Sequence, residues 1–200
     1  MNFWAKLEKP ILCLAPMADV TDAAFRYIIA KYSKQITPHQ KSQGAPLAYV
    51  TYTEFTSADG LILAPEIGKK KLLKNLEYSE IERPIVAQFF SSKPEMIERA
   101  AALALELNFD GVDINMGCPD RSVEKQRAGA ALIKNPKLAR ELIIAAKKGA
   151  PSLPVSIKTR LGYNTDELET WLPALLAENP ALITIHARTR KEMSKVKARW

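Results

Sequence analysis

The stretch DINMGCP, residues 113–119, decides how this chain is interpreted. It predicts a buried strand over Gly111–Asn115 that breaks into a Gly-Cys-Pro turn. Gly117 lets the backbone turn freely, and Pro119 fixes its own φ and stops the strand. The turn displays the Cys118 thiol at the carboxyl end of a strand, where parallel α/β proteins place their functional groups. Because a free cysteine is most often a small buried apolar residue, a purely structural role for this thiol stays open at this point.

Composition and charge place the chain among globular proteins. Its 200 residues are 47% hydrophobic and 26% charged, which is typical of one domain with an ordinary core. The 29 Lys and Arg residues exceed the 22 Asp and Glu residues, which favours an anionic partner, although so small a surplus is also common on solvated surfaces. The first residues carry no signal-peptide core and no apolar run is long enough to cross a bilayer. We therefore expect a cytoplasmic protein without a membrane partner.

The two cysteines, Cys13 and Cys118, show neither a CxxC pair nor metal-ligand spacing. We therefore expect no bound metal and no disulfide framework. Cys13 lies inside the apolar run Ile11–Leu14, so the sequence predicts that it belongs to the core.

Short apolar runs alternate along the chain with segments of helical periodicity. This alternation is typical of βα units arranged around a parallel sheet. The predicted strands are Ile11–Ala15, Ala48–Thr53, Ile85–Phe89, Gly111–Asn115, Val155–Lys158 and Leu182–Ile185. No internal repeat, low-complexity tract or GxGxxG motif interrupts the pattern.

Capping residues mark the predicted helix ends. Thr21 is predicted to cap a helix that carries, on one face, Phe25, Ile28, Ile29 and Tyr32. Ser92–Glu95 predicts a capping box. The pair at 135–136, Asn-Pro, opens a further helix, and Lys147–Gly149 closes it with a glycine in the left-handed conformation.

Three other segments have a simple local interpretation. Ser33–Pro46 contains two prolines and a glycine and predicts a surface loop. The lysines at 69, 70, 71 and 74 form a basic cluster, for which a solvated helix face is favoured over RNA contact. Pro173 indicates the start of a helix, or a kink in it, near Leu168, Leu172 and Leu175.

Polar residues follow five of the six predicted strands at the point where each strand ends. They are Pro16 with Met17, Gln88, Asn115 with Cys118, Lys158 with Arg160, and His186 with Arg188. In a (β/α)8 barrel these strand ends meet at one mouth. Each residue alone has an ordinary explanation, such as a salt bridge for a lysine or a core position for a histidine. Together they predict a polar pocket.

Four motifs and one glutamine resemble those of the tRNA-dihydrouridine synthases. They are APM at 15–17, Gln88, NMGCP at 115–119, KTRLG at 158–162 and HARTR at 186–190. They follow the order of that family, and the resemblance runs from about Ile11 to Trp200. It implies a (β/α)8 TIM barrel that binds FMN and uses NADPH to reduce specific uridines in tRNA to 5,6-dihydrouridine. We expect the full-length protein to be a monomer.

The same resemblance implies roles for the pocket residues. Cys118 is implied to be the general acid, since a thiol with an unperturbed pKa of about 8.5 is mostly protonated at neutral pH. The implied cofactor-binding residues are Pro16, Met17, Ala18, Gln88, Lys158 and His186, with the lysine on the pyrimidine edge of the flavin. The residues implied to contact the target nucleotide or the tRNA are Asn115, Arg160 and Arg188. The target base must be flipped to reach a barrel mouth, and the basic surplus suits the tRNA backbone.

A complete barrel has eight strands, whereas this sequence predicts six. We therefore expect residues 1–200 to be the N-terminal part of the flavin-binding catalytic domain, truncated after about the sixth strand. The C-terminal strands and the helical tRNA-binding domain of the family are then absent. Two alternatives stay open: a flavin-dependent oxidoreductase of free pyrimidines similar to dihydroorotate dehydrogenase, and an inactive RNA-binding fragment. Arg160, Arg188 and the positive net charge favour RNA over a free pyrimidine.

Overall fold

A parallel sheet organises the structure, a computed structural model that describes residues 2–33 and 48–199. Its strands are β1 (Ile11–Cys13), β2 (Ala48–Tyr52), β3 (Thr56–Ser57), β4 (Ile85–Phe90), β5 (Gly111–Met116), β6 (Val155–Arg160) and β7 (Leu182–His186). The hydrogen-bonded order is β1-β2-β4-β5-β6-β7, with β3 beside β4, and every pairing is parallel. The sheet curls into part of a barrel, which confirms the predicted α/β class and six strands of a (β/α)8 barrel. Of the strands in the described residues, β3 alone has no counterpart among the predicted strands.

Helices connect the strands and cover the outer face of the sheet. They are α1 (Ala23–Ser33), α2 (Ala58–Leu63), α3 (Glu66–Lys74), α4 (Pro94–Glu106), α5 (Arg121–Lys125), α6 (Pro136–Gly149) and α7 (Leu168–Leu176). Short 3-10 turns lie at Phe3–Lys6, Glu80–Glu82 and Gly129–Lys134. In the part of the chain that the structure describes, none of these helices has the length and apolar character needed to span a membrane.

Residues alternate between the two faces of the sheet, as strand geometry requires. On β4, the residues Ile85, Ala87 and Phe89 face the helices and belong to the main apolar core. Val86 and Gln88 face the barrel interior instead. The same alternation points a row of polar side chains from β5 and β6 into the barrel: Asp113, Asn115, Ser156, Lys158 and Arg160.

Apolar side chains fill the lower part of the barrel interior. Trp4, which is 6% exposed, packs there against Val50, Tyr52 and Val86. The ring centroids of Trp4 and Tyr52 lie 6.4 Å apart. This cluster sits at the level of the first residues of β4, so the polar inward positions are left toward the carboxyl ends of the strands. Barrels of this class place their sites at that end.

The face of α1 that the sequence singles out is mostly exposed. The exposed fractions are 37% for Phe25, 53% for Ile28 and 66% for Tyr32. Arg26 sets this rotation, because it is fully buried and its Nε lies 2.7 Å from Glu82 Oε2. Leaving either charge buried and unpaired would cost about 3–5 kcal/mol, whereas burying one apolar side chain gains about 1.5–3 kcal/mol. The ion pair therefore decides which side of the helix faces inward.

The N-cap of α1 is one residue later than predicted. Asp22 accepts a hydrogen bond from the Phe25 backbone amide at 2.8 Å, which is the capping contact. The Thr21 hydroxyl is used elsewhere, because it donates to the Met17 carbonyl and accepts from the Met17 amide. Thr21 therefore closes the turn after β1, and the prediction that it caps α1 is wrong.

The capping box predicted at Ser92–Glu95 is also wrong. Helix α4 begins at Pro94, and its N-cap, Lys93, makes no side-chain capping bond. Ser91 takes part instead: its Oγ accepts from the Lys93 amide at 2.9 Å and donates to the Asp59 carboxylate. A capping box on Ser92 requires the helix to begin at Lys93. Because proline suits the first helical position, α4 begins one residue later, at Pro94.

Helix α6 begins as predicted and ends differently. Asn135 Oδ1 accepts from the Leu138 amide at 3.2 Å, which confirms the N-cap. Gly149 is the last helical residue and does not take the predicted left-handed conformation. A Cβ at position 149 would collide with the backbone of Glu98 in α4. Glycine is therefore needed here for space, because it lets α4 and α6 pack closely.

Cys13 is exposed, so the prediction that it belongs to the core is wrong. The apolar run around it does form β1, as predicted. Among the described strands, β1 lies at the edge of the sheet and pairs only with β2. Leu12 and Cys13, which point to opposite faces of the sheet, are both exposed, because an edge strand has a neighbour on one side only and neither of its faces is fully covered.

The remaining local predictions have clear outcomes. Lys70, Lys71 and Lys74 are exposed on α3 and Lys69 is half-buried, which confirms a largely solvated helix face. Pro173 lies inside α7, close to the predicted leucines. The predicted loop Ser33–Pro46 falls outside the described residues from position 34 onward.

The close approach of α4 and α6 predicts an asymmetry between two helical glycines. Gly149→Ala should lower the free energy of unfolding by roughly 1–3 kcal/mol, because the added methyl group meets backbone that cannot move aside. Gly68→Ala in α3 is the matched control, since its Cβ would meet only Ala64 Cβ at 3.3 Å. The control should be neutral or stabilising by up to about 1 kcal/mol. Urea denaturation of the full-length protein measures both, and equal effects would contradict the assignment.

Candidate active site

Strand register aligns the predicted pocket residues on the inner wall of the barrel. The register pairs are Gln88 with Asp113, Asp113 with Ser156, Asn115 with Lys158, and Arg160 with His186. Four neighbouring strands therefore contribute to one polar surface, as the pattern of strand ends predicts.

We call the chain of hydrogen bonds that crosses this wall the amide relay; it runs from Ser156 through Asp113, Gln88 and Asn115 to the turn that displays Cys118. Ser156 Oγ and Gln88 Nε2 both donate to the carboxylate of Asp113, each at 2.6 Å. Asn115 Nδ2 donates to Gln88 Oε1 at 3.1 Å. All four residues are buried. The relay thus fixes the side chains of both pocket amides, Gln88 and Asn115.

The relay ends on the turn that displays the thiol. Asn115 Oδ1 accepts from the backbone amides of Gly117 and Cys118 at 3.1 and 2.9 Å. Gly117 does not take a left-handed φ, and a Cβ there would lie 3.1 Å from the carbonyl carbon of Thr159 in β6. The predicted need for free turning at Gly117 is therefore wrong. Glycine is required because two backbones approach each other closely.

A second turn supports the thiol from the other side. The Ala130 amide donates to the Cys118 carbonyl at 2.9 Å, and Gly129 has a φ of +61°. A Cβ on Gly129 would lie 2.7 Å from the same carbonyl oxygen. Only glycine satisfies both the conformation and the space, so the display of Cys118 depends on it.

The Cys118 thiol is half-buried, and its pKa lies above the usual value. Burial is the main cause, and the carboxylates of Asp120 and Glu124 act in the same direction. The Asp120 backbone amide and the Arg160 guanidinium act in the opposite direction. The thiol is therefore protonated at neutral pH and can donate a proton.

Arg160 joins the thiol turn to the segment that follows β7. Its Nε donates to the Gly117 carbonyl at 2.7 Å, and its Nη1 donates to the carbonyls of Thr189 and Met193 at 3.2 and 3.1 Å. The residue is 7% exposed. Arg160 is therefore a structural link at the pocket as well as a source of positive charge.

His186 is neutral at physiological pH. Burial and the positive charges of Arg160, Lys158 and Arg188 lower its pKa to about 4. Its Nε2 lies 2.9 Å from Arg188 Nη1, and a guanidinium can only donate. The ring proton is therefore on Nδ1, which makes His186 a hydrogen-bond donor with its other nitrogen.

Lys158 is a pocket cation for which the described residues provide no hydrogen-bond or ion-pair partner. Within residues 2–33 and 48–199, its Nζ makes no hydrogen bond and no ion pair. Burial lowers its pKa, while the Asp113 carboxylate on the adjacent strand raises it. Arg160 and Arg188 likewise form no ion pair with a carboxylate among the described residues. The pocket therefore carries more positive than negative charge, which suits an anionic or electron-rich ligand.

The loop after β1 carries the predicted residues Pro16, Met17 and Ala18. The Asp19 amide donates to the carboxylate of Glu54, a residue that is 8% exposed and lies after β2. This contact ties the loop to the neighbouring strand end. The structure thus brings Pro16–Ala18 to the same edge of the sheet as the other predicted residues, while the amide relay does not reach them.

Sequence reasoning does not identify Asp113, Glu54 or Gly129 as site residues. A signal exists for Asp113, because it lies two positions before Asn115 on a strand and must share its face. The other two depend on contacts between segments far apart in sequence. In the described ranges, no group of three or more His, Cys, Asp and Glu residues could hold a metal ion.

Comparisons with known proteins agree on one family. The dihydrouridine synthase profile matches residues 13–200. The chain is 43% identical over 200 residues to "Probable tRNA-dihydrouridine synthase 2" of Bacillus subtilis strain 168. It is 40% identical to "Probable tRNA-dihydrouridine synthase" of Staphylococcus aureus strain COL and of Staphylococcus epidermidis strain ATCC 12228. Each match covers 100% of this chain and 56% of the relative, so the chain spans about half the length of these curated relatives.

The raised pKa of Cys118 predicts that its thiol reacts slowly with alkylating reagents. In a Cys13→Ser background, alkylation by iodoacetamide at pH 7 should be slower than in the urea-unfolded chain, because less thiolate is present. The midpoint of the rate-against-pH curve should lie above that of the unfolded chain. A midpoint at or below the unfolded value would contradict a protonated thiol.

Proposed function

The chain belongs to the dihydrouridine synthase family, and on that premise we propose that it carries out flavin-dependent reduction of specific uridines in tRNA to 5,6-dihydrouridine, with NADPH as the reductant. The observation that carries the proposal is the fixed turn that displays the Cys118 thiol in a pocket where, among the described residues, the Lys158 ammonium has no protein partner. Because the chain covers 56% of these relatives, the activity, substrate and partner of the whole protein are all part of the proposal.

The charge of the pocket supports FMN as the cofactor. Lys158 has no protein partner among the described residues, and the cations around it lack carboxylate counterions there. The residues that would hold the flavin are Pro16, Met17, Ala18, Gln88, Lys158 and His186. When bound, FMN supplies the hydride for C6 of the uracil ring after reduction by NADPH.

Cys118 would donate the proton that C5 of the uracil ring requires. The thiol keeps its proton at neutral pH because it is partly buried. Once the proton has left, the positive charge of Arg160 stabilises the thiolate, since this charge lowers the pKa of the thiol. The two backbone bonds to Asn115 hold the turn in place, so the thiol stays aimed at one point.

Two neutral groups would orient the ring. His186 can donate from Nδ1, because its Nε2 faces Arg188. The amide nitrogen of Gln88 uses one N–H on Asp113, which leaves its second N–H outside the relay. A carbonyl-rich pyrimidine edge accepts such donors, and Lys158 adds a full charge to them.

Contacts with RNA stay predictions for Asn115, Arg160 and Arg188. Arg188 Nε donates to the Val196 carbonyl at 2.7 Å, so RNA would meet only the remaining N–H groups of its guanidinium. The same holds for Arg160, and Asn115 keeps one N–H beyond the relay. A base must leave its stack to reach such a pocket. The net charge of +7 supports a polyanionic partner.

Replacement of the acid tests the proposal most directly. In the full-length protein, Cys118→Ala should lower dihydrouridine formation roughly 10²–10⁴-fold and leave flavin content and NADPH oxidation near wild type. Cys13→Ala is the matched control and should retain full yield. A near-normal yield from Cys118→Ala would remove the thiol from the mechanism. Equal turnover on free uracil and on tRNA would contradict tRNA as the substrate.

A second pair of variants separates cofactor from RNA contacts. Lys158→Ala should lower the flavin retained after gel filtration, because the pocket loses the positive charge that is proposed to hold the ring. Arg188→Ala should weaken tRNA binding and reduce the slope of log K against log salt by up to about one. Absorbance at flavin wavelengths and salt titration of tRNA binding give the two readouts. An unchanged salt slope in Arg188→Ala would show that this arginine does not contact RNA.

A further inference from the structure

Asp113 is a buried carboxylate in the wall of the pocket, and the proposed reaction does not use it. It is fully buried and accepts hydrogen bonds from Ser156 Oγ and Gln88 Nε2. We propose that Asp113 is a positioning residue: it sets the orientation of both amides of the relay and thereby holds the Cys118 turn. Its importance for catalysis rests on the proposed function, whereas its effect on the turn does not.

The two ends of the relay fix its direction. An ionised carboxylate only accepts hydrogen bonds, and the backbone amides of Gly117 and Cys118 only donate them. Two side-chain amides lie between these ends. Gln88 must turn its nitrogen toward Asp113, which leaves its oxygen for Asn115. Asn115 must then turn its nitrogen toward Gln88, which leaves its oxygen for the turn.

Only one arrangement of the amides therefore satisfies every member. If Gln88 alone were flipped, its nitrogen would face the nitrogen of Asn115 and its oxygen would face the carboxylate. If Asn115 alone were flipped, its nitrogen would face the two backbone donors. Each error leaves buried polar groups without partners, which is what makes such networks directional.

The surroundings of Asp113 keep it an acceptor at neutral pH. Burial raises its pKa to about 6, while hydrogen bonds from Ser156 and Gln88 and the charge of Lys158 oppose this rise. The thiol of Cys13 and the hydroxyl of Tyr52 also face it. Above pH 6 the carboxylate is mostly ionised, so the end of the relay that it forms is fixed.

Asp113→Asn removes that fixed end with almost no change in size. The new amide can donate to Gln88 Oε1, so the Gln88 side chain is free to flip. Asn115 then loses either its hydrogen bond to Gln88 or its two hydrogen bonds to the backbone of the turn. Hydrogen exchange at the Gly117 and Cys118 amides measures this directly, because Asn115 Oδ1 is the acceptor for both. In the full-length protein, exchange at these two amides should accelerate roughly tenfold.

Ser156→Ala is the matched control. It removes the other hydrogen bond to Asp113 and leaves the amides of the relay untouched. It should lower stability without a selective change at Gly117 and Cys118. Equal acceleration in both variants, or wild-type protection in Asp113→Asn, would overturn the proposal.

A double variant reverses the relay and tests its direction. In Asp113→Asn with Asn115→Asp, residue 113 donates to Gln88 Oε1 and Gln88 Nε2 donates to the new carboxylate. The other carboxylate oxygen accepts from the two backbone amides, and Lys158 is the register neighbour of position 115. Protection at Gly117 and Cys118 should return to within about threefold of wild type, an effect that a loss of packing would not produce. A double variant no better protected than Asp113→Asn would overturn the directional relay.

Turnover separates this inference from the proposed function. Because Gln88 and Asn115 are themselves proposed to contact the flavin and the target nucleotide, turnover is measured with FMN and tRNA at saturating concentration, where Asp113→Asn should lower kcat for dihydrouridine formation roughly tenfold. Lost protection with unchanged kcat would overturn the catalytic part and leave the turn assignment standing. Lost protection together with lost kcat supports both parts.

Discussion

A carboxylate buried between parallel strands is the constraint on which the pocket depends. Register places Gln88, Asp113 and Ser156 at one level on three adjacent strands. A buried carboxylate needs donors, and the neighbouring strand on each side supplies one at 2.6 Å. The strands are thus linked by side chains just above the apolar cluster around Trp4. The side chain of Lys158 and the turn that carries Cys118 lie nearer the mouth of the barrel and are positioned by this layer.

The sheet could be predicted from sequence because each buried strand is a short apolar run of its own. The rotation of α1 could not, since it depends on Arg26 meeting Glu82, 56 residues away. The periodicity of a helix shows only which residues share a face. In α1 the free energy of the buried ion pair exceeds the gain from burying the apolar face. The start of α4 shows a related limit, because Pro94 sets the first helical position and Ser92 then lies outside the cap.

The pocket could be predicted in part for a physical reason as well. Parallel strands bring their carboxyl ends to one edge, so polar residues at those ends are close together whatever the loops do. The contacts that hold these polar residues in place could not be predicted from their positions at the strand ends. Gly117 and Gly129 are required by close contacts with β6 and with the Cys118 carbonyl, and neither contact has a signature in the local sequence. Glu54 likewise acts on a loop 35 positions earlier.

The electrostatics of the pocket balance two opposing demands on Cys118. Lys158, Arg160 and Arg188 create a positive field that draws an anionic ligand, and burial together with this field lowers the pKa of His186 to about 4 and keeps it neutral. The same field favours a thiolate, as the effect of Arg160 on the thiol shows. A proton donor in this field therefore has to be shielded from water, because burial is the influence that keeps the proton on sulfur. The turns that bury Cys118 are therefore needed to keep the thiol protonated. The positive charges are needed to stabilise the thiolate that remains after the proton has been donated.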